Sequence, residues 1–319
     1  MARCFVTREL PGGALERLRD RHQVEVWESG SPPTRAELLA AARPAHGLLA
    51  LLTDEIDRAL IEACPELRAI SNYAVGVDNI DVGAATARGI PVGHTPEVLT
   101  DSTADLAVAL MLAIARRLAE GEAIVRAGRW GTWDPAEFLG RDLHGAKVAI
   151  VGTGRIGTAV ARRLEGFGCE LFACGRDDRD GFERALRAAD FVTVHTPLEP
   201  RTRGLIGEPE LRLMQPTAYL VNTARGPILD SAALARALHE GWIAGAALDV
   251  TDPEPLPADH PLLEAPNLLV IPHIGSATHR TREAMAELAV DNLLAGLAGL
   301  AGERMPRCVN PEVYAGSSG

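Results

Sequence analysis

Residues 148–157 read Val-Ala-Ile-Val-Gly-Thr-Gly-Arg-Ile-Gly, and no other stretch limits the fold as tightly. The apolar run between Lys147 and Gly152 has the character of a strand buried on both faces, and glycines follow at 152, 154 and 157. Each glycine has a use in a strand-turn-helix that receives a diphosphate. Gly152 can take the tight turn, Gly154 brings backbone up to the anion with no Cβ in the way, and Gly157 lets the helix pack close to the strand. The helix expected from Arg155 to about Phe167 aims N–H groups and the positive end of its dipole at that anion. Glycine-rich turns also serve ordinary packing, but a second strand at Glu170 to Cys174 completes the unit, and the pattern favours a dinucleotide site.

The same alternation recurs along the chain. At 319 residues two domains are expected, each with its own core. The first hundred residues hold short apolar runs at Arg3 to Thr7, Val24 to Trp27, Gly47 to Leu52, Leu67 to Ser71 and Ile90 to Val92. Helical patterns lie between them at Gly13 to Arg21, Arg35 to Ala42 and Ile56 to Cys64, which together spell a small parallel α/β unit. Asp101 to Leu118 is apolar at helical spacing, with Asp101 or Ser102 as its expected cap, and is long enough to bridge two domains. Beyond the glycine turn, strands are expected at Phe191 to His195, Ala218 to Asn222, Ala244 to Val250 and Asn267 to Ile271, and a last long helix at about Thr278 to Ala298.

Composition removes several classes of function. Hydrophobic residues at 47% and charged residues at 24% suit a soluble globular chain. No apolar run approaches a membrane span, and Met1-Ala-Arg-Cys-Phe-Val leads into a strand instead of a signal peptide, so a cytoplasmic protein with no membrane partner is expected. Five scattered cysteines never form CxxC and support neither a disulfide framework nor a metal site. A formal charge of −11 without a basic stripe argues against nucleic acid as a partner.

Two further features bear on chemistry. The carboxylate that would grip the adenosine ribose is expected at the end of the second strand, where this chain has Gly175 followed by Arg176. An arginine there can pair with a 2′-phosphate, so NADP is favoured over NAD, with Asp177 and Asp178 as carboxylates that could swing in to serve NAD. The stretch from Arg176 to Asp190 is short and predicts a clipped crossover. Val221 to Gly226, Leu248 to Pro255 and Ile271 to Ser276 each follow an apolar strand run, and segments beyond strand ends of an open α/β sheet meet at one crevice, so Arg225, Glu254 and His273 can converge.

The glycine turn, His195-Thr-Pro-Leu, Asn222-Thr-Ala-Arg225-Gly, Asp249 to Glu254-Pro and Pro272-His273-Ile-Gly together resemble the D-isomer-specific 2-hydroxyacid dehydrogenases. The match runs in the right order over nearly the whole chain and includes Tyr73-Ala-Val-Gly-Val-Asp-Asn. Within that family, Val75-Gly-Val-Asp, Thr95-Pro-Glu-Val-Leu-Thr and Gly128-Arg-Trp130-Gly-Thr-Trp133 are most similar to the glyoxylate and hydroxypyruvate reductases. The resemblance implies two flavodoxin- or Rossmann-like parallel-sheet domains with the active site in the cleft between them. Residues 1–98 completed by 286–319 would be the substrate domain, and 99–285 the dinucleotide domain. It further implies a homodimer, and reduction of a small 2-oxo acid to the D-2-hydroxy acid by NAD(P)H. Oxidation of D-3-phosphoglycerate or another D-2-hydroxy acid is the nearest alternative, and a nucleotide-sensing module like the co-repressors of this superfamily is the alternative of another class.

Residue roles follow from the resemblance. His273 exchanges a proton with the substrate oxygen, Glu254 orients it and favours the imidazolium, and Arg225 holds carboxylate and carbonyl with its planar fork. Backbone N–H groups of Val75 and Gly76 take the other side of the carboxylate, while Leu52, Tyr73 and Trp133 wall the pocket, Trp133 from across a dimer. Their bulk suits a small acid. Around the cofactor the resemblance adds Thr103, Arg155, Ile156, His195, Thr196, Pro197, Thr223, Ala224, Gly275 and Ser276 to the glycines, with Asp249 accepting from the nicotinamide carboxamide. His195 is read as a supporting residue, and His260 and His279 as surface or capping residues.

Overall fold

The structure, a computed structural model, describes residues 1–175, 178–299 and 303–317. Two compact units divide it, Met1–Leu99 with Ala277–Gly319, and Thr100–Ser276. In the first, β1 (Arg3–Val6), β2 (Gln23–Val26), β3 (Gly47–Ala50), β4 (Ala69–Asn72) and β5 (Val92–Gly93) form a parallel sheet ordered β2-β1-β3-β4-β5. Helices α1 (Ala14–Arg19), α2 (Arg35–Ala42), α3 (Arg58–Ala63) and α4 (Val82–Ala87) make the crossovers. Their starts are written in the sequence. Thr34 and Glu37 form a reciprocal capping box on α2, and Asp57 and Asp81 cap α3 and α4. Phe5, Leu48 and Ile70 from the sheet bury against Leu60 and Ile61 of α3.

The second unit begins with α5 (Thr100–Ala115) and α6 (Leu118–Arg126). It then winds β6 (Lys147–Val151), α7 (Arg155–Glu165), β7 (Glu170–Cys174), α8 (Arg179–Ala188), β8 (Phe191–Val194), α9 (Glu208–Leu213), β9 (Tyr219–Asn222), α10 (Ser231–His239), β10 (Gly245–Leu248) and β11 (Leu268–Val270). All pairings are parallel, in the order β11-β10-β9-β8-β6-β7. Strand β6 is buried on both faces, with Val148 and Ile150 in the core beside α5 and α7, and Ala149 and Val151 in the core beside α8 and α10. The strand order reverses where β6 meets β8, so the loops leaving these two strands open onto the crevice where such sheets collect ligand.

Some expectations shift. The helix read over 101–118 starts at Thr100, placing Asp101 inside its first turn, and the chain breaks at Arg117 (φ 52°) before α6 begins. The short stretch after Arg176 still holds the ten-residue α8, capped by Asp178. The chain returns through α11 (His279–Ala298), capped by Thr278, to complete the first unit. A division after residue 285 would cut this helix, which belongs whole to that unit. Its seat on the first sheet is tight. Ser71 Oγ donates to the Ala289 carbonyl at 2.8 Å, and a Cβ on Gly93 would lie 2.6 Å from Asn292 Cβ. Among the described residues no helix is long and apolar enough to cross a membrane, and no cluster of side chains is suited to hold a metal.

Candidate active site

The glycine turn separates the three glycines by what surrounds them. Gly152 takes φ +98°, and a Cβ there would sit 2.7 Å from the His195 carbonyl carbon, so the turn lies directly against the end of β8. A Cβ on Gly157 would come within 2.0 Å of the Gly152 carbonyl oxygen, which is the close helix-to-strand packing expected of it. Gly154 is different, because a Cβ there would meet nothing within 4 Å. The fold itself does not require that glycine, and the open space in front of α7 suits an anion against the helix N-terminus. Beside it, a cavity beyond the ends of β6 and β7 is lined by Gly152, Gly175, Asp178, Arg179 and Thr196 among others. These features fit a dinucleotide.

Asp249, at the end of β10, organises the loop after β11. It is 2% exposed, and its two carboxylate oxygens accept the Ile274 N–H at 2.6 Å and the Gly275 N–H at 2.9 Å. Burial pushes its pKa up, partly opposed by those two N–H groups. The Asp249 carbonyl accepts the His273 N–H at 2.8 Å, and His273 sits in the left-handed region at φ 52°. Thr103 of α5 reaches the same loop, its hydroxyl donating to the Gly275 carbonyl at 3.3 Å.

This loop presents His273 to Glu254. Nδ1 of His273 and Oε1 of Glu254 are 2.6 Å apart, and Glu254 Oε2 accepts the Thr251 N–H at 3.3 Å. Burial alone would raise the Glu254 pKa. The hydrogen bond and charge of His273, the Thr251 N–H and the Arg225 charge outweigh it and hold the carboxyl below its ordinary value. An ionised carboxylate only accepts, so Nδ1 carries the hydrogen and Nε2 is the ring's remaining acid–base atom. Both side chains stay within reach of solvent, at 23% and 32% exposure.

Arg225 is held by its own loop. Asn222 folds back as an Asx turn, accepting the Ala224 N–H at 3.0 Å and donating to the Arg225 carbonyl at 2.9 Å. Gly226 lets this loop touch the Glu254 loop, since a Cβ there would lie 1.9 Å from the Thr251 carbonyl oxygen. The three side chains read from separate strand ends therefore belong to one constellation. His195 stands behind it, bonded through Nε2 to Thr193 Oγ1 at 2.8 Å and through Nδ1 to Thr223 Oγ1 at 3.3 Å. Its ring lies deep among neighbours although the residue keeps some surface, and desolvation pushes its pKa down to about 3.

The other expected residues divide. Thr196 is buried, Pro197 exposed, and Ala224 and Ser276 half-buried. Gly175 is exposed beside the cavity, while Arg176 and Asp177 lie outside the described residues. Asp178 is not free to swing, because it caps α8 by accepting the Gly181 N–H at 2.8 Å. In the first unit Val75 and Gly76 are half-buried after β4, and Leu52 is 36% exposed after β3. Tyr73 is buried with its hydroxyl donating to the Arg282 carbonyl at 2.7 Å, so only its ring is left to line anything. Trp133 is 76% exposed and is not part of the constellation on its own unit. Sequence reasoning missed Thr193, Asn222 and Thr251. Only Asn222 carried a local signal, the Asx pattern two residues before Ala224.

Known proteins resemble this chain over most of its length. The sequence profile of the D-isomer specific 2-hydroxyacid dehydrogenase NAD binding domain matches residues 108–275. A glyoxylate reductase of Korarchaeum cryptofilum is 46% identical over 323 residues, covering 98% of this chain and 96% of its own, and one of Thermococcus litoralis is 44% identical over 328 residues, covering 98% of each. Among solved structures, a Thermus thermophilus protein superposes with a TM-score of 0.90 at 48% identity, covering 96% of this chain and 99% of its own. An NADPH-dependent glyoxylate/hydroxypyruvate reductase of Sinorhizobium meliloti, in complex with NADP and malonate, gives 0.83 at 34% identity, covering 97% and 96%. The chain belongs to the D-isomer-specific 2-hydroxyacid dehydrogenase family.

Proposed function

We propose that this protein reduces a small 2-oxo acid at the expense of NADPH, either glyoxylate to the achiral glycolate or hydroxypyruvate to the hydroxy acid of D configuration. The observation that carries the reading is the 2.6 Å pair of His273 Nδ1 with the Glu254 carboxylate, with the Arg225 charge acting on the same carboxylate. When bound, the reduced nicotinamide would supply a hydride to the C2 carbonyl carbon of the acid. Charge then grows on the C2 carbonyl oxygen, and His273 delivers a proton to it from Nε2 while the Glu254 carboxylate holds the ring through Nδ1. Arg225 orients the acid through its carboxylate and polarises the carbonyl. Val75 and Gly76 take the carboxylate through their backbone N–H groups, Leu52 and Tyr73 wall the pocket, and Trp133 acts across a homodimer. Thr103 and Asp249 fix the Gly275 loop beside the cofactor, and each Asp249 oxygen keeps a second lone pair for the carboxamide.

NADPH is favoured over NADH because Arg176 follows Gly175 where a ribose carboxylate would stand and Asp178 is committed as a helix cap, which leaves Asp177 as the carboxylate that could serve NADH. Initial rates with glyoxylate and hydroxypyruvate, each with NADPH and NADH, test both parts. Fast turnover with NADPH preferred supports them, and turnover with NADH alone keeps the enzyme and removes the 2′-phosphate reading. A preference for oxidising D-3-phosphoglycerate replaces the substrate. Cofactor binding without turnover of any 2-oxo acid points to the nucleotide-sensing module instead.

A further inference from the structure

We infer that His94 and Asn72 are positioning residues that aim the backbone N–H groups of Val75, Gly76 and Val77 at the substrate carboxylate; this deepens the proposed function and rests on it. A trans peptide points its carbonyl and the following N–H in opposite directions, so fixing one fixes the other. Three successive carbonyls after β4 are fixed in this way. The Ala74 carbonyl accepts the Thr95 N–H at 2.8 Å, the Val75 carbonyl accepts from His94 Nδ1 at 2.9 Å, and the Gly76 carbonyl accepts from Asn72 Nδ2 at 2.9 Å. Because a carbonyl only accepts, the His94 proton sits on Nδ1. The N–H groups of Val75, Gly76 and Val77 are thereby turned away from these partners. None of the three donates to a protein acceptor among the described residues, and all three residues are half-buried at the carboxyl edge of the sheet. Successive N–H groups left without a protein acceptor in one loop can make a concave anion seat.

The partners are themselves held. Asn79 Oδ1 accepts from Asn72 Nδ2 at 3.0 Å, and Asn79 Nδ2 donates to the Leu51 and Asp54 carbonyls at 3.0 Å each, which ties the loop back to the end of β3. The His94 backbone is clamped between its N–H bond to the Arg307 carbonyl at 3.1 Å and its carbonyl bond from Asn292 Nδ2 at 2.9 Å. Asn292 can reach it because Gly93 carries no side chain at their crossing. The long return helix thus supports the ring that orients the Val75–Gly76 peptide. A glycine at 76 and a half-buried histidine eighteen residues on, which show no periodic relation in the sequence, become one device.

The test uses the full-length protein and replaces His94 by Leu, which removes the donor, and by Asn, whose Nδ2 stands where Nδ1 was. His94→Leu is expected to raise KM for glyoxylate about tenfold, the loss of roughly one hydrogen bond to a charged group, and to leave KM for the reduced cofactor in place. His94→Asn is expected to recover most of the loss. Asn72→Ser, a second variant, is expected to raise the same KM selectively, and far-ultraviolet circular dichroism with cofactor binding checks that each variant folds. An unmoved glyoxylate KM in His94→Leu, an equal rise in both KM values, or no recovery in His94→Asn overturns the inference. Wild-type turnover with an unmoved variant removes the positioning role alone, whereas a wild type that reduces no 2-oxo acid removes the proposed function and the inference together.

Discussion

Three histidines of this chain differ in what faces their ring nitrogens, and the neighbours set what each can do. A carboxylate faces His273, a carbonyl faces His94, and two hydroxyls face His195. Hydroxyls can donate or accept, so they satisfy a neutral ring without stabilising a charge. Burial then drives the His195 pKa from 6.5 down to about 3. Below its ordinary pKa the unfolded chain binds a proton that the folded protein refuses, so this site's contribution to stability is complete above pH 6.5 and falls as pH drops towards 3. The loss is at most ~1.4 kcal/mol per pH unit. Urea unfolding at neutral and mildly acidic pH checks this. The wild type is expected to lose stability more steeply than His195→Asn, which does not titrate, and equal slopes would show that the ring is not desolvated.

At the scale of elements, the strand-turn-helix at β6 and α7 makes opposite predictions for two of its glycines. Gly157→Ala places a methyl 2.0 Å from the Gly152 oxygen, so about 1–3 kcal/mol of stability should be lost together with cofactor binding. Gly154→Ala meets nothing within 4 Å, so the melting temperature should hold while cofactor affinity falls about tenfold or more. Thermal melts with cofactor titration separate the two. This element was legible because its constraints are local: glycines at fixed offsets, an apolar strand before and a helix after. The break at Arg117 was not, since no proline or glycine announces the left-handed turn there. Nor was the part played by Thr193 or Thr251, whose partners lie two or three residues away but whose direction depends on the finished loop.

For the whole molecule, the two-unit plan was legible from the recurrence of one strand–helix alternation, and Arg225, Glu254 and His273 from their places after strand ends. What pattern alone could not give was the pairing of His94 and Asn72 with the Val75 loop, because those contacts exist only after tertiary packing. The second unit also carries an apolar surface. No residue of α6 is buried, and Leu118, Val125, Trp130, Trp133 and Leu139 are between 56% and 76% exposed, five large apolar side chains within 22 residues of sequence. A second copy is the expected cover. Analytical ultracentrifugation should give a dimer for the wild type and dissociation for Leu118→Glu with Val125→Glu, and a monomeric wild type would sink this expectation.

The return of α11 to the first sheet has a consequence for synthesis. Ser71, Gly47 and Gly93 all meet this helix, yet the ribosome must first deliver the whole of Thr100–Ser276. At cellular elongation rates that delay is on the order of ten seconds or more. The second unit, whose segments are contiguous, can finish folding in that interval, while the first sheet waits with the part of its face that α11 covers still open. The core under α11 is thus the last part of the first unit to close during synthesis.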